Sequence, residues 1–101
     1  MKKTVQAKIQ WLRKQDGGRE PPPPIDAFYA TLSRFDALKD EWPHRSWSLV
    51  VDFLQPFDET LSTIAEVTFL SPKAPFELLQ AGNTFDLFAG MRLVAHGSVL
   101  P

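Results

Sequence analysis

The chain contains no cysteine, which excludes disulfide bonds and thiol chemistry. Long apolar runs are also missing, and none approaches the roughly 18 residues that a bilayer-spanning helix needs. The first residues, MKKTVQAKIQ, include two lysines but no apolar stretch behind them, unlike a secretory signal. These absences predict a cytoplasmic protein that has no membrane partner.

The composition is that of an ordinary globular protein, with 44% hydrophobic and 23% charged residues in a chain of 101. This length can bury a core without covalent staples, so we expect one domain over residues 1–101. The net charge is only −1, yet the first twenty residues carry six lysines and arginines against two acidic residues. A basic end can attract phosphate or an acidic partner, although a solvated strand face is the favoured interpretation.

Alternating polar and apolar residues predict several short strands. TVQAKIQW alternates with a period of two, although a helix capped by Thr4 and ended by Gly17 is a competing interpretation. Four later segments show strand patterns: SWSLVVDFLQP, STIAEVTFL, NTFDLFAG and MRLVAHGSVL. Glycine or proline separates most of them, which is typical of a β-sandwich or barrel. The predicted core includes Ile9, Val51, Val67, Phe85 and Leu87.

One segment, SRFDALKDEW, has a helical pattern instead. Ser33 followed by Asp36 is close to a capping box, and Pro43 would end the helix. This predicts a helical or loop insertion around residues 33–43, with Phe35, Leu38 and Trp42 on one face. If that face is exposed it would bind a partner or a second copy of the chain, whereas packing on the barrel is the favoured alternative.

The sequence offers little for catalysis. RKQDGGREPPPP contains two glycines but neither a P-loop nor a dinucleotide fingerprint. The two histidines, His44 and His96, lack any metal-ligand spacing, so a structural or surface role is favoured for His96. We therefore expect no catalytic residues, no cofactor, no metal and no nucleotide.

The same glycines suit a tight turn, since glycine adopts positive φ freely. The turn consists of Gly17, Gly18 and Arg19 after an aspartate, with prolines at 21–24. This acidic-Gly-Gly-Arg turn, the strand TIAEVTFLSP and the closing FDLFAGMRLVAHGSVL together resemble the third domain of translation elongation factor Tu, from about Val5 to Leu100. The resemblance implies an all-β fold, a closed six-stranded antiparallel Greek-key barrel, in which Thr4 to Arg13 form a strand.

The resemblance also frames the function. In the elongation factor this domain helps to hold aminoacyl-tRNA and meets the nucleotide-exchange factor. The chain has no GTP-binding domain, and the tRNA-contacting positions do not transfer residue by residue. We therefore expect a non-catalytic binding module that most readily binds a protein, with RNA binding through the basic N-terminal strand as the alternative. Arg19 is expected to stabilise its turn by bonding Asp52, Asp58 or Asp86.

Overall fold

A computed structural model describes residues 3–13, 29–37 and 46–101, which form a closed barrel of six antiparallel strands. The strands are β1 Val5–Trp11, β2 Tyr29–Phe35, β3 Trp47–Phe53, β4 Ser62–Phe69, β5 Thr84–Ala89 and β6 Arg92–Val99, with a 3₁₀ helix at Phe76–Leu78. Their order around the barrel is β1-β4-β3-β2-β5-β6, and β6 closes back on β1. Because β2, β3 and β4 are neighbours and β1 lies beside β4, the topology is a Greek key. The predicted all-β barrel is confirmed.

The first strand shows why this sequence is extended. Ala7, Ile9 and Trp11 point into the barrel and are at most 2% exposed, while Lys8 and Gln10 point outward. A helix would have spread these apolar residues around its circumference instead of placing them on one face. The strand interpretation of Thr4 to Arg13 is therefore confirmed. All of the predicted core residues are buried: Ile9, Val51, Val67, Phe85 and Leu87.

The predicted insertion at 33–43 is wrong in its first part, because residues 29–35 form a strand of the barrel. Phe35, which was expected on a helical binding face, is 3% exposed and packs against the rings of Phe69 and Phe85. The strand was hidden by a polar inward residue, since Ser33 is 2% exposed and donates its hydroxyl to the Trp47 carbonyl over 2.7 Å. Pairing with β3 and β5 outweighs the local helical spacing.

Aromatic rings fill the barrel toward both of its ends. One group lies where β1 and β3 end, and consists of Trp11, Tyr29, Phe53 and Phe57 with centroids 5.2–6.0 Å apart. The other lies where β2 and β4 end, and consists of Phe35, Phe69, Phe76 and Phe85 with centroids 5.0–5.6 Å apart. Such ring pairs add about 0.5–1.5 kcal/mol each beyond the area they bury. The barrel interior is therefore a packed core. Within the described ranges, no helix is long and apolar enough to cross a membrane.

A bulge between β5 and β6 sets which side chains face outward on the last strand. The pairing shifts by one residue between Leu87 and Phe88, and both Val94 and Ala95 are fully buried. After this shift His96 faces solvent and Gly97 faces the core. The bulge therefore places the histidine on the outer wall.

Candidate functional site on the outer barrel wall

Outward polar side chains form two rows across four neighbouring strands, β1, β6, β5 and β2. Cross-strand pairing aligns each row at right angles to the strands, because paired residues lie directly opposite each other. The first, here called the paired row, consists of Gln10, His96, Asp86 and Arg34. The second, called the open row, consists of Lys8, Ser98 and Thr84, with Asp36 beyond the end of β2.

Asp86 is the centre of the paired row and binds a partner with each carboxylate oxygen. Its Oδ2 lies 2.7 Å from Arg34 Nη2, and its Oδ1 lies 2.6 Å from His96 Nδ1. The Asp86 side chain is 14% exposed, against 33% for Arg34 and 53% for His96. Arg34 also lies over the Phe88 ring, 5.1 Å from its centroid. These contacts fix the carboxylate in one orientation on three adjacent strands.

The other end of the paired row is fixed to the loop before β4. The Gln10 amide donates to the Thr60 carbonyl over 2.6 Å and accepts a hydrogen bond from the Ser62 hydroxyl. Asp58 in turn orders this loop, since its Oδ1 accepts from the backbone N–H groups of Thr60 and Ser62, both at 2.9 Å. The Thr60 hydroxyl, 2.7 Å away, and then the Ser62 N–H lower the pKa of Asp58 below its ordinary 3.8.

The open row has few such contacts. Thr84 donates its hydroxyl to Asp36 Oδ2 over 2.6 Å, which leaves that carboxylate with a neutral partner. Across the part of the chain that the structure describes, the side chains of Lys8 and Ser98 make no hydrogen bond or ion pair. The row therefore presents an ammonium at one end and a carboxylate at the other, without an opposite charge bound to either.

A groove of about 390 Å³ lies over the two rows, and both contribute to its lining. Its floor includes the backbone of Gly97, which lies between the two rows on β6. A Cβ at Gly97 would overlap the ring of Phe85, so the ring occupies the space that any other side chain would need. A second recess of about 90 Å³ lies on the β4 side of Lys8 and includes Asp58. The Lys8 side chain therefore borders both hollows.

The pairing of His96 with Asp86 also occurs in acid–base catalysis, where a carboxylate orients an imidazole. Here Arg34 shares the carboxylate, so the negative charge is already balanced by a permanent cation. In the described ranges, no three histidine, cysteine, aspartate or glutamate side chains are grouped to hold a metal ion. The wall therefore combines a fixed carboxylate with exposed charged and hydrogen-bonding groups.

Only one of the residues predicted as functional from sequence lies in the described part of the chain. Phe35 lies in the core and contributes no binding surface. The other predicted residues lie outside the described ranges: Gly17, Gly18, Arg19, Leu38 and Trp42. Two of the carboxylates expected to bond Arg19 have the partners given above, since Asp86 binds Arg34 and His96, and Asp58 orders its own loop.

Sequence reasoning missed both rows. Alternation places Lys8 and Gln10 outward, and the same reasoning applied to NTFDLFAG places Asp86 outward. It could not place His96, because the direction of that side chain depends on the bulge. Nor could it align the strands, since register depends on long-range packing.

Comparison with known proteins gives no further information about these residues. No known protein family matches the chain, and comparison with curated proteins finds no relative.

Proposed function

We propose that this protein is a non-catalytic binding module that binds another protein through its outer wall at β1, β6, β5 and β2. The observation that carries the proposal is the open row, an unpaired ammonium and an unpaired carboxylate at the edges of a 390 Å³ groove. Such groups have the most to gain from a partner, because binding replaces their water contacts with charge-assisted hydrogen bonds.

The barrel also limits how a partner can bind. Each strand is hydrogen-bonded on both sides, so the described barrel presents no strand edge to which a partner could add a strand. A partner that binds the described barrel is then recognised by side chains on its wall. Lys8, Ser98 and Thr84 project from strands, which holds their spacing constant, and the Thr84 hydroxyl ties Asp36 to the same row.

Protein binding is favoured over RNA binding by the charges of this wall. A phosphate backbone approaching Lys8 would meet the carboxylates of Asp36 and Asp86 in the same groove. Asp58 lies on the other side of Lys8, close enough for the ammonium to help lower its pKa. RNA binding through the basic N-terminal strand is the alternative, and it would need further cations beside Lys8.

Two hypotheses from the sequence are compatible with this proposal. The resemblance to the third domain of elongation factor Tu supports a link to translation, and it rests on the sequence motifs alone. A second contact surface at Leu38 and Trp42 rests on the apolar character of those residues. Neither is needed for the outer wall to bind a partner.

Site-specific photo-crosslinking in the native host tests the proposal. A photoreactive amino acid at Ser98 lies in the groove, whereas the same amino acid at Asp52 projects from β3, outside the four-strand wall. We expect a protein adduct from position 98 that is absent from position 52. A nuclease-sensitive adduct would support the RNA alternative, and equal adducts or none from both positions would refute a site at this wall.

A further inference from the structure

We propose that the groove binds an extended polypeptide segment carrying a basic side chain for Asp36 and an acidic side chain for Lys8. This inference rests on the proposed function and adds the chemistry of the partner. The recognised feature is a pair of opposite charges at a fixed separation, not a patch of one sign.

Of the charged residues on the wall, Lys8 and Asp36 are the two left to bind a partner. Asp86 already binds Arg34 with one carboxylate oxygen and His96 with the other, at 2.7 and 2.6 Å, so its charge is engaged within the wall. Lys8 makes no such contact, and Asp36 binds a hydroxyl alone. A ligand of one sign would satisfy one end of the open row and be repelled by the other.

The separation of the charges indicates an extended segment. Three inter-strand steps separate the ends of the open row, which is about 14 Å at about 4.8 Å per step. An extended chain covers that distance in about four residues at roughly 3.3 Å each, and residues four apart point to the same side. The hydroxyls of Ser98 and Thr84 lie between the two charges and face the partner's backbone polar groups.

Designed peptides test this inference without knowledge of the natural partner. The capped hexapeptide RSSSES places its arginine and glutamate four residues apart, and RSSESS has the same composition with a spacing of three. RSSSRS and ESSSES carry one sign only. Each is titrated into the full chain, and its binding is followed by the amide chemical shifts of the open row.

We expect RSSSES to shift the open-row amides and to bind more tightly than the other three peptides. Lys8→Glu or Asp36→Lys alone should weaken its binding about three- to tenfold, because each leaves two like charges in the row. The double variant, with both Lys8→Glu and Asp36→Lys, again has one charge of each sign in the open row, but in exchanged positions. RSSSES can then bind in the reversed direction, and its affinity should return to within about twofold of that for the parent chain. Glu66→Gln, which changes a charge on β4 outside the two rows, is the matched control and should have no effect.

Two results would overturn the inference. One is equal or tighter binding of RSSSRS or ESSSES, which would reveal a site for a single charge. The other is a double variant that keeps a well-dispersed amide spectrum but does not regain RSSSES binding. If either occurs while position 98 still crosslinks to a protein, the binding module stands and only its proposed charge recognition fails.

Discussion

The two rows of the outer wall use the same four strands and similar side chains, yet they differ in how far their polar groups are satisfied. Each member of the paired row contacts another element, from the loop that holds Gln10 to the ring beneath Arg34. The open row, one step along the strands, leaves the side chains of Lys8 and Ser98 without hydrogen bonds or ion pairs to described residues. We propose a division of work on this basis, in which the paired row stabilises the wall and the open row binds a ligand.

The largest expected effect on stability comes from a substitution at Gly97, in the groove floor that both rows share. Gly97→Ala places a methyl group where the Phe85 ring lies, so the ring or the strand must move. We expect a loss of about 1–3 kcal/mol in the free energy of unfolding, as is typical of overpacked cores. Urea denaturation measures it, and Ser98→Ala on the same strand should stay within about 0.5 kcal/mol of the parent. Equal stability of both variants would mean that Phe85 relaxes freely.

A substitution at Asp86, the centre of the paired row, should have the next largest effect on stability. Asp86→Ala removes the ion pair with Arg34 and the contact with His96. Since both partners are partly exposed, the expected loss is about 1–2 kcal/mol and not the larger cost of a buried pair. The coupling free energy between Asp86 and Arg34 is measured by comparing Asp86→Ala, Arg34→Met and the variant that carries both. It should be about 0.5–1 kcal/mol. Additive effects would show that the ion pair contributes nothing.

Acidification should weaken the loop that anchors the paired row. The folded pKa of Asp58 lies below its ordinary 3.8, so the stabilising effect of the ionised form is complete above that value. It is lost as the pH falls through the lower folded pKa. Asp58→Asn cannot titrate, so its deficit in unfolding free energy at pH 7 should shrink below pH 3.8. A deficit that stays constant down to pH 2 would contradict the role given to the carboxylate.

The open row should give the smallest effect on folding. Lys8→Gln and Asp36→Asn remove charges that have no ionic partner among the described residues. Each should change the unfolding free energy by less than about 0.5 kcal/mol in urea denaturation. A loss as large as that of Asp86→Ala would erase the distinction between the rows.

The sequence predicted the barrel better than the site because the two depend on different information. Local alternation is enough to place Ile9 or Val67 inward, and it predicted a β-sandwich or barrel, whereas the closed six-stranded barrel was what the resemblance implied. It failed at β2, where Ser33 occupies a core position and the spacing of Phe35 with later apolar residues predicted a helix face. That error assigned Phe35 to a binding surface although it packs inside the barrel.

The site depends on contacts between strands that are distant in the sequence. Arg34 and Asp86 are 52 positions apart, as are Gln10 and Ser62. Nothing in either local segment indicates the register that brings them together, and the bulge that turns His96 outward is equally invisible. Outward polarity could be predicted from the sequence, whereas the rows and their unequal pairing could not.

The division of work between the rows is tested most directly by combining Lys8→Gln with Asp36→Asn in the chain that carries the photoreactive residue at position 98. The account predicts a thermal midpoint unchanged from the parent and a clear loss of the protein adduct. An undiminished adduct with intact folding would contradict the central claim, because it would show that a partner binds this wall without using the open row.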